Sequence, residues 1–469
     1  MSSLQPAFPY RPLSESSSEA LETRLIYLRP GDFDDSIHCT IYHANILQER
    51  PQIEYTALSY VWGDPKRKLS IQLGYHQLSS SGTVSARASA LSPEADCYTA
   101  FGVTTNLEKA LRHLRDRASG RILWVDAICI NQSDREECLS QVQSMGEIYE
   151  QALEVRIWLG SVSDICKFTP DLQKNDTNDL LRGVQMLGKS HSRLSPEEIA
   201  GAALSSDESI IARALLAAVD YVMDNDRLID REDDHVRLPD ELQALGIRII
   251  AMQPWWRRVW VIQEATMPEE DPVMQCGYMQ VRYRRFLEVA KRCMLQDPPS
   301  LLPRTHISLI VHDTFHKEYE PSEKSSASQL LPYLSCMSGN FEVSKPKDRV
   351  NGVYGKFRMY GPHDNILFFI IYDQQEQTDT VFFHQVAVWI LFDAHPSSRP
   401  IRILESGPSD IQGIPSWVPM WESKQWSGED KTDGAPGSDY DILAQGKSMG
   451  KKYHRPLVSL CDEYNAQYK

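Results

Sequence analysis

The chain has no apolar run long enough to cross a bilayer. Its longest, residues 366–372, falls far short of the roughly 20 residues a spanning helix needs. The amino terminus, Met1-Ser-Ser-Leu-Gln-Pro, shows no basic segment leading into an apolar one, so no secretory signal is expected. Cysteine is sparse and unpatterned: nine among 469 residues, an odd count, with no C-x-x-C spacing. That argues against a disulfide framework and zinc knuckles and fits a reducing compartment. Basic charge is also short, with 49 Lys and Arg against 64 Asp and Glu, a net charge of −15 and a pI near 5.4. General nucleic-acid binding relies on basic surface that displaces counterions from phosphate, so nucleic acid is not an expected partner.

Familiar catalytic signatures are missing too. Gly446-Lys-Ser has Asp441 where a phosphate-binding loop needs its upstream glycine. There is no His-Glu-x-x-His, no Gly-x-Ser-x-Gly and no Gly-x-Gly-x-x-Gly opening a helix. What remains is a composition of 42% hydrophobic and 24% charged residues, which describes a globular chain that buries a core without staples. The expected location is cytoplasmic.

The regular signals begin after residues 1–20, which are rich in Ser and Pro and read as an unstructured arm. Thr23-Arg-Leu-Ile-Tyr-Leu and His38-Cys-Thr-Ile-Tyr alternate around Pro30-Gly-Asp and predict a strand pair. Tyr55 to Trp62 is a second extended run, closed by Gly63-Asp-Pro. Residues 78–100 read as an inserted loop. Thr105-x-x-Glu108 is a capping box ahead of Leu107, Ala110, Leu111 and Leu114, a helical stripe. Residues 122–130 are almost wholly apolar, as a strand covered on both faces would be. Ser133-x-x-Glu136 caps a second helix carrying Cys138, Val142, Met145, Tyr149 and Ala152, and Val155 to Gly160 is a further strand. Strand, helix, strand over that length is a βαβ unit and predicts a parallel α/β sheet.

Farther on, Ser195-Pro-Glu-Glu starts a helix, residues 208–223 form another, and 224–234 read as a solvated acidic loop. Residues 254–264, with three Trp, read as one more covered strand. The expected organisation is an N-terminal arm and strand pair over 1–54, an α/β unit over 55–265, and a mostly helical region over 266–423. Its helix candidates are 286–293, 307–315, 330–337 and 381–392. A polar, loose tail over 424–469 ends the chain.

Asp126 is an acid inside an apolar run, so it must be hydrogen-bonded or paired, or else its pKa rises. Either it anchors neighbouring loop amides, or Asp126, Asn131 and Gln132 lie at the carboxyl edge of the sheet, where open α/β folds bind ligands. Glu264 closes the Trp-rich segment and brings a second carboxylate to the same rim, unless it merely pairs with Arg257 or Arg258 or faces solvent. Two close acids are what glycosidic cleavage uses, one stabilising positive charge and one moving a proton. That reading needs residues 126–132 to form an open turn, not a helix, close to Gln263-Glu264. Cys129, with His113 and His191 elsewhere in the chain, is a candidate nucleophile but fits better as a small apolar filler. Trp255, Trp256 and Trp260 read as core.

Taken together, several segments resemble the heterokaryon incompatibility (HET) domain of filamentous fungi. They are Tyr55-Thr-Ala-Leu-Ser-Tyr-Val-Trp-Gly-Asp64, Thr105-Asn-Leu-Glu-Lys-Ala-Leu111, and the long block from Leu123-Trp-Val-Asp-Ala-Ile-Cys-Ile-Asn-Gln132 through Trp158-Leu-Gly160. The last is Trp256-Arg-Arg-Val-Trp-Val-Ile-Gln-Glu264. The long block is the most specific, and the resemblance covers about residues 55–265. Residues 346–355 and 414–421 are similar to what often follows the domain; Met420 stands where Asp is common, and the 78–100 segment is longer than usual. The chain stops soon after the Trp417 motif, earlier than many such proteins.

The resemblance implies intracellular non-self recognition coupled to programmed cell death, exercised through protein partners or self-association. It also implies an α/β fold with a flavodoxin-like parallel sheet similar to Toll/interleukin-receptor (TIR) domains. Some TIR-like domains cleave NAD⁺ with a pocket Glu, for which Glu264 and Glu136 are the candidates. An alternative function is therefore a NAD⁺ glycohydrolase with Asp126 and Glu264 as catalytic residues and Trp62, Asn131 and Gln132 lining the pocket, whose activity drives the death response. A third reading is a family member acting outside incompatibility. No metal and no resident cofactor is expected; NAD⁺ enters only as candidate substrate.

Overall fold

The computed structural model describes residues 8–14, 21–46, 53–76, 97–167, 206–229 and 240–296, with the short stretches 341–343, 347–348 and 350–353. The chain divides into two compact units, Met1–Tyr319 and Glu320–Lys469. In the second, Phe341, Val350 and Val353 are buried.

Among the described residues of the first unit, nine strands make one sheet. In chain order they are β1 (Glu22–Leu28), β2 (His38–Asn45), β3 (Thr56–Tyr60), β4 (Lys68–Tyr75), β5 (Thr99–Thr104), β6 (Arg121–Trp124), β7 (Glu154–Gly160), β8 (Val273–Cys276) and β9 (Met279–Arg282). Their spatial order is β5-β4-β2-β1-β6-β3-β7-β8-β9. The sheet is mixed, not wholly parallel. Its parallel block is β6-β3-β7-β8. β1 joins β6 antiparallel and pairs antiparallel with β2, as the alternating sequences of that strand pair predict. β2–β4 is parallel, while β4–β5 and β8–β9 are antiparallel.

Within the parallel block, chain order runs second, first, third, fourth, the flavodoxin-like winding. β6 and β7 are parallel with β3 between them, so the expected strand-helix-strand unit encloses the first strand of the block. Winding reverses direction between β3 and β7, and at such a reversal open α/β sheets form a ligand crevice beyond the carboxyl ends of their strands. All five residues of β3 are buried, as a strand covered on both faces requires.

The helices are α1 (Thr105–Leu114), α2 (Asp126–Cys129), α3 (Arg135–Gln143), α4 (Met145–Glu150), α5 (Val162–Lys167), α6 (Ser206–Ile229), α7 (Glu241–Ala251), α8 (Val261–Thr266) and α9 (Tyr283–Gln296). α1 buries Leu107, Ala110, Leu111 and Leu114 as predicted, but Thr104, one residue earlier than expected, accepts the capping bond from the Leu107 amide. Likewise Asp134, not Ser133, caps α3 through the Glu136 and Glu137 amides. The stripe expected on one helix is divided at Ser144 between α3 and α4.

Four expectations fail. Residues 8–14, expected to belong to an unstructured arm, pack on the sheet through Phe8 against Tyr75 and Phe101. The apolar run of residues 122–130 is strand only to Trp124, then turns into α2. The Trp-rich segment is no strand: Pro254–Arg257 is a 3-10 turn and Val261–Thr266 is helical. α6 runs on to Ile229 through the start of the expected acidic loop. After residue 265, in the region expected to be mostly helical, β8 and β9 form a hairpin through Gly277-Tyr278, followed by α9. The helices expected at Ser195, 307–315, 330–337 and 381–392, nearly all of the 78–100 loop, and the 424–469 tail lie outside the described residues. Among those described, no helix is long and apolar enough to cross a membrane.

Two of the three Trp belong to the core, and Trp260 is half-buried against it. Trp255 and Trp256 are wholly buried, edge-to-face at 5.0 Å, and Trp256 stacks on Tyr283 at 5.9 Å. Burial of a large side chain contributes on the order of 2–3 kcal/mol. Their indole N–H groups are satisfied as well, Trp256 by Ile250 O at 2.8 Å.

Candidate functional site

The crevice beyond β3 gathers side chains from four segments. Ser59 and Tyr60 end β3, and Trp62 follows in the next loop. That loop is pinned by Asn106 of α1, whose Nδ2 donates to Val61 O at 2.6 Å while its Oδ1 accepts from Trp158 Nε1 at 3.0 Å. Asp126 is the first residue of α2, directly after β6. Arg258 and Glu264 arrive with the 3-10 turn and α8, which packs on α4, β3 and β7.

Asp126 accepts the indole N–H of Trp62 at 2.6 Å on Oδ2 and the Ala127 amide at 2.7 Å on Oδ1, and pairs with the Tyr60 hydroxyl. The residue keeps an exposed edge, yet its carboxylate is withdrawn from bulk water, and this raises its pKa. Trp62, the Arg258 charge, the Ala127 amide and Tyr60 oppose that rise. The need for an open turn is not met, since residues 126–129 are helical. The carboxylate nevertheless stays at the strand edge, because it occupies the first position of a single helical turn.

Glu264 is 3% exposed and accepts the Ser59 hydroxyl on Oε2. Ser59 Oγ in turn accepts the Trp255 indole N–H at 2.8 Å. Burial pushes the Glu264 carboxyl up to about 7; Arg258 and Ser59 pull it down, and the negative charge of Asp126 adds to the rise. The two acids therefore feel one another. Arg258 donates to Tyr60 O, and its charge acts on both acids. Tyr60 and Tyr149 are pushed far above an ordinary phenol, first by burial and then by the neighbouring carboxylates. Tyr149 donates to Leu58 O at 3.1 Å, fixing α4 on β3.

Of the residues singled out from sequence, Trp62 and Asp126 touch, and Glu264 joins them through Ser59, Tyr60 and Arg258. Gln132 returns to this turn, its Nε2 donating to Asp126 O at 3.0 Å. Asn131 is used otherwise: its Oδ1 accepts the Ser133 amide at 3.2 Å and its own amide donates to Glu137 at 2.6 Å. Glu136 is exposed in the first turn of α3. Cys129 is wholly buried, as a small apolar filler would be. Burial raises its thiol to about 12, and His113 packs elsewhere, against Trp158, Tyr278 and Phe33; His191 is outside the described residues.

Sequence reasoning assigns no role to Ser59 and Tyr60; it marks Tyr149 only as part of a helical stripe and Arg258 only as a possible partner of Glu264, and the Arg258 charge does act on Glu264. The available signal was a serine and a tyrosine at the end of a run that is otherwise a covered strand. A buried hydroxyl there needs a partner, and a carboxylate is a strong one.

Among the described residues no group of three His, Cys, Asp or Glu is arranged to hold a metal ion. Chemically, the site offers one carboxyl that titrates near neutrality, one hydrogen-bonded carboxylate and a cation beside both. That combination can donate or accept a proton and stabilise developing positive charge.

Residues 55–264 match the family model described as Heterokaryon incompatibility protein (HET). The chain is 25% identical over 439 residues to "Heterokaryon incompatibility protein 6, OR allele" of Neurospora crassa, an alignment covering 87% of this chain and 59% of that protein. The chain thus spans less than two thirds of the relative's length. No solved structure matches the chain significantly.

Proposed function

From the premise that residues 55–264 form a heterokaryon incompatibility (HET) domain, we propose that the protein is an intracellular non-self-recognition module of fungi that triggers cell death. It acts in the cytoplasm through protein partners or self-association. The observation that carries this reading is the match itself, whose two ends frame the crevice. It begins beside β3, which supplies Ser59 and Tyr60, and ends at Glu264. The test is inducible expression in a filamentous fungal host, wild type against an Asp126→Asn/Glu264→Gln double variant at equal protein level. Wild type is expected to arrest growth and the double variant to spare it; a harmless wild type removes the reading.

The electrostatic influence of Asp126 on Glu264 supports a second reading, a glycohydrolase that splits NAD⁺ and water into nicotinamide, ADP-ribose and a proton. One carboxylate would stabilise the positive charge on the ribose as the glycosidic bond breaks, and the other would take the proton from the attacking water. Trp62, beside Asp126 and 40% exposed, supplies an aromatic face for the substrate. NAD⁺ measured in the same cultures separates the readings. Under the second it falls before growth stops, and only with the wild type; under the first, death proceeds with NAD⁺ unchanged.

A further inference from the structure

The turn that carries Asp126 is too short to hold itself. A four-residue helix satisfies almost none of its own carbonyls, and isolated single turns are unstable in water. Its exit is fixed from outside. Tyr10 Oη donates to Ile128 O at 2.8 Å, Arg24 Nη1 donates to Cys129 O at 3.0 Å, and Glu137 Oε1 accepts the Asn131 amide at 2.6 Å.

These three side chains form one unit. Arg24 is fully buried in β1 and pairs with both oxygens of Glu137, at 2.5 and 2.8 Å. Its guanidinium lies 4.8 Å from the centre of the Tyr10 ring, and its Nη2 donates to Arg11 O at 2.6 Å. A buried cation is tolerated only with such partners. The N-terminal segment is anchored in its turn on the far strands. Phe8 packs on Tyr10, Tyr75 and Phe101 at 5.1 to 5.8 Å, the Arg11 amide donates to the Tyr75 hydroxyl at 2.8 Å, and the Arg11 guanidinium lies over the Tyr75 ring.

We propose that residues 8–13 are a latch across the sheet that holds the Asp126 turn in place, with Tyr10 and Arg24 as its positioning residues. One segment thereby links β4 and β5, through Tyr75 and Phe101, to the crevice beyond β3. A partner or modification that lifts it frees the turn and Asp126 with it. The inference deepens the reading of the Asp126 crevice as the functional site and rests on that reading for its meaning, but its test does not.

Tyr10→Phe keeps the ring, its contact with Phe8 and its face toward Arg24, and removes only the hydroxyl that reaches Ile128. The experiment is hydrogen–deuterium exchange of the full chain, comparing wild type, Tyr10→Phe and Phe8→Ala/Tyr10→Phe. The amides of Ile128, Cys129, Ile130 and Asn131 are all hydrogen-bonded and report on the turn. Their exchange is expected to quicken about fivefold in Tyr10→Phe, the size of one lost hydrogen bond, and further in the double variant. The amides of β3 and β7 are expected to stay as in wild type. Unchanged exchange at 128–131, or an equal rise across β3 and β7, overturns the latch. Neither result depends on whether expression kills a host cell, so failure of the functional reading is separable.

Discussion

At the scale of single residues, Glu264 is a group whose environment conflicts with its charge. Its pKa is about 7 in the fold, against about 4.3 in an unfolded chain. The native state thus holds a proton that the unfolded state has released between those values, so this group's stabilising contribution is full below pH 4 and is lost as pH rises through 7. The full span corresponds to a few kcal/mol, on the order of 3. Glu264→Gln keeps a hydrogen-bonding oxygen for Ser59 and removes the titration. Thermal melts from pH 4.5 to 8 should show wild type losing stability relative to the variant across that range. Parallel curves would mean that the carboxyl is not held neutral. A second residue-scale expectation concerns Arg24 and Glu137. Glu137→Leu strands a wholly buried cation and should cost about 3–5 kcal/mol in denaturant unfolding. Arg24→Met with Glu137→Leu should recover most of that loss, because an apolar pair of similar volume carries no desolvation penalty.

At the scale of elements, close approach of helices decides what the fold tolerates. A Cβ added at Gly246 of α7 would lie 2.0 Å from the Ala214 carbonyl oxygen and 2.7 Å from the Ala218 Cβ, both on α6. Backbone cannot swing aside, so Gly246→Ala must push the helices apart. At Gly120 the added atom also meets neighbours at 2.0 Å, but they are the tip of the Tyr27 ring, which is half-buried and free to move. Gly246→Ala is expected to lower unfolding stability by about 2 kcal/mol or more and Gly120→Ala by less than half as much, measured by urea midpoints.

The same scale explains which elements were legible in the sequence. β1, β2, β3 and β7 were, because alternation or a short covered run bounded by turn residues marks a strand. The Trp-rich segment was not. Trp255, Trp256, Val259, Val261 and Ile262 are all buried, and a contiguous apolar run has no periodicity to separate strand from helix. The β8–β9 hairpin did leave a trace in Gly277-Tyr278 and in the alternation of Met279, Gln280, Val281 and Arg282, a two-residue glycine turn beside a half-buried strand. Of the site, Asp126 and Glu264 were legible as acids misplaced in apolar surroundings. Arg258 was legible only as a possible partner of Glu264, and Ser59 and Tyr60 were not legible, because their role arises only when β3 and the 3-10 turn meet in space.

At the scale of the whole molecule, the segment that matches the family model is smaller than the sheet that contains it. Residues 55–264 include β3 through β7 but exclude β1, β2, β8 and β9. β1 is the neighbour that covers β6, β2 is the strand on which β4 pairs, and β8 covers β7. Cutting there would expose the hydrogen-bonding edges of β6 and β7, both apolar strands of the parallel block, and remove the latch and Arg24. Exposed apolar edges recruit other chains. We therefore expect a fragment of residues 55–264 to aggregate on expression, whereas residues 1–319, which keep all nine strands, should stay soluble and melt cooperatively. Solubility, size-exclusion chromatography and a circular-dichroism melt of the two fragments make the comparison. A soluble, cooperatively melting 55–264 fragment would mean that the flanking strands decorate the domain and do not complete it, and the crevice would then owe its shape to β3, β6 and β7 alone.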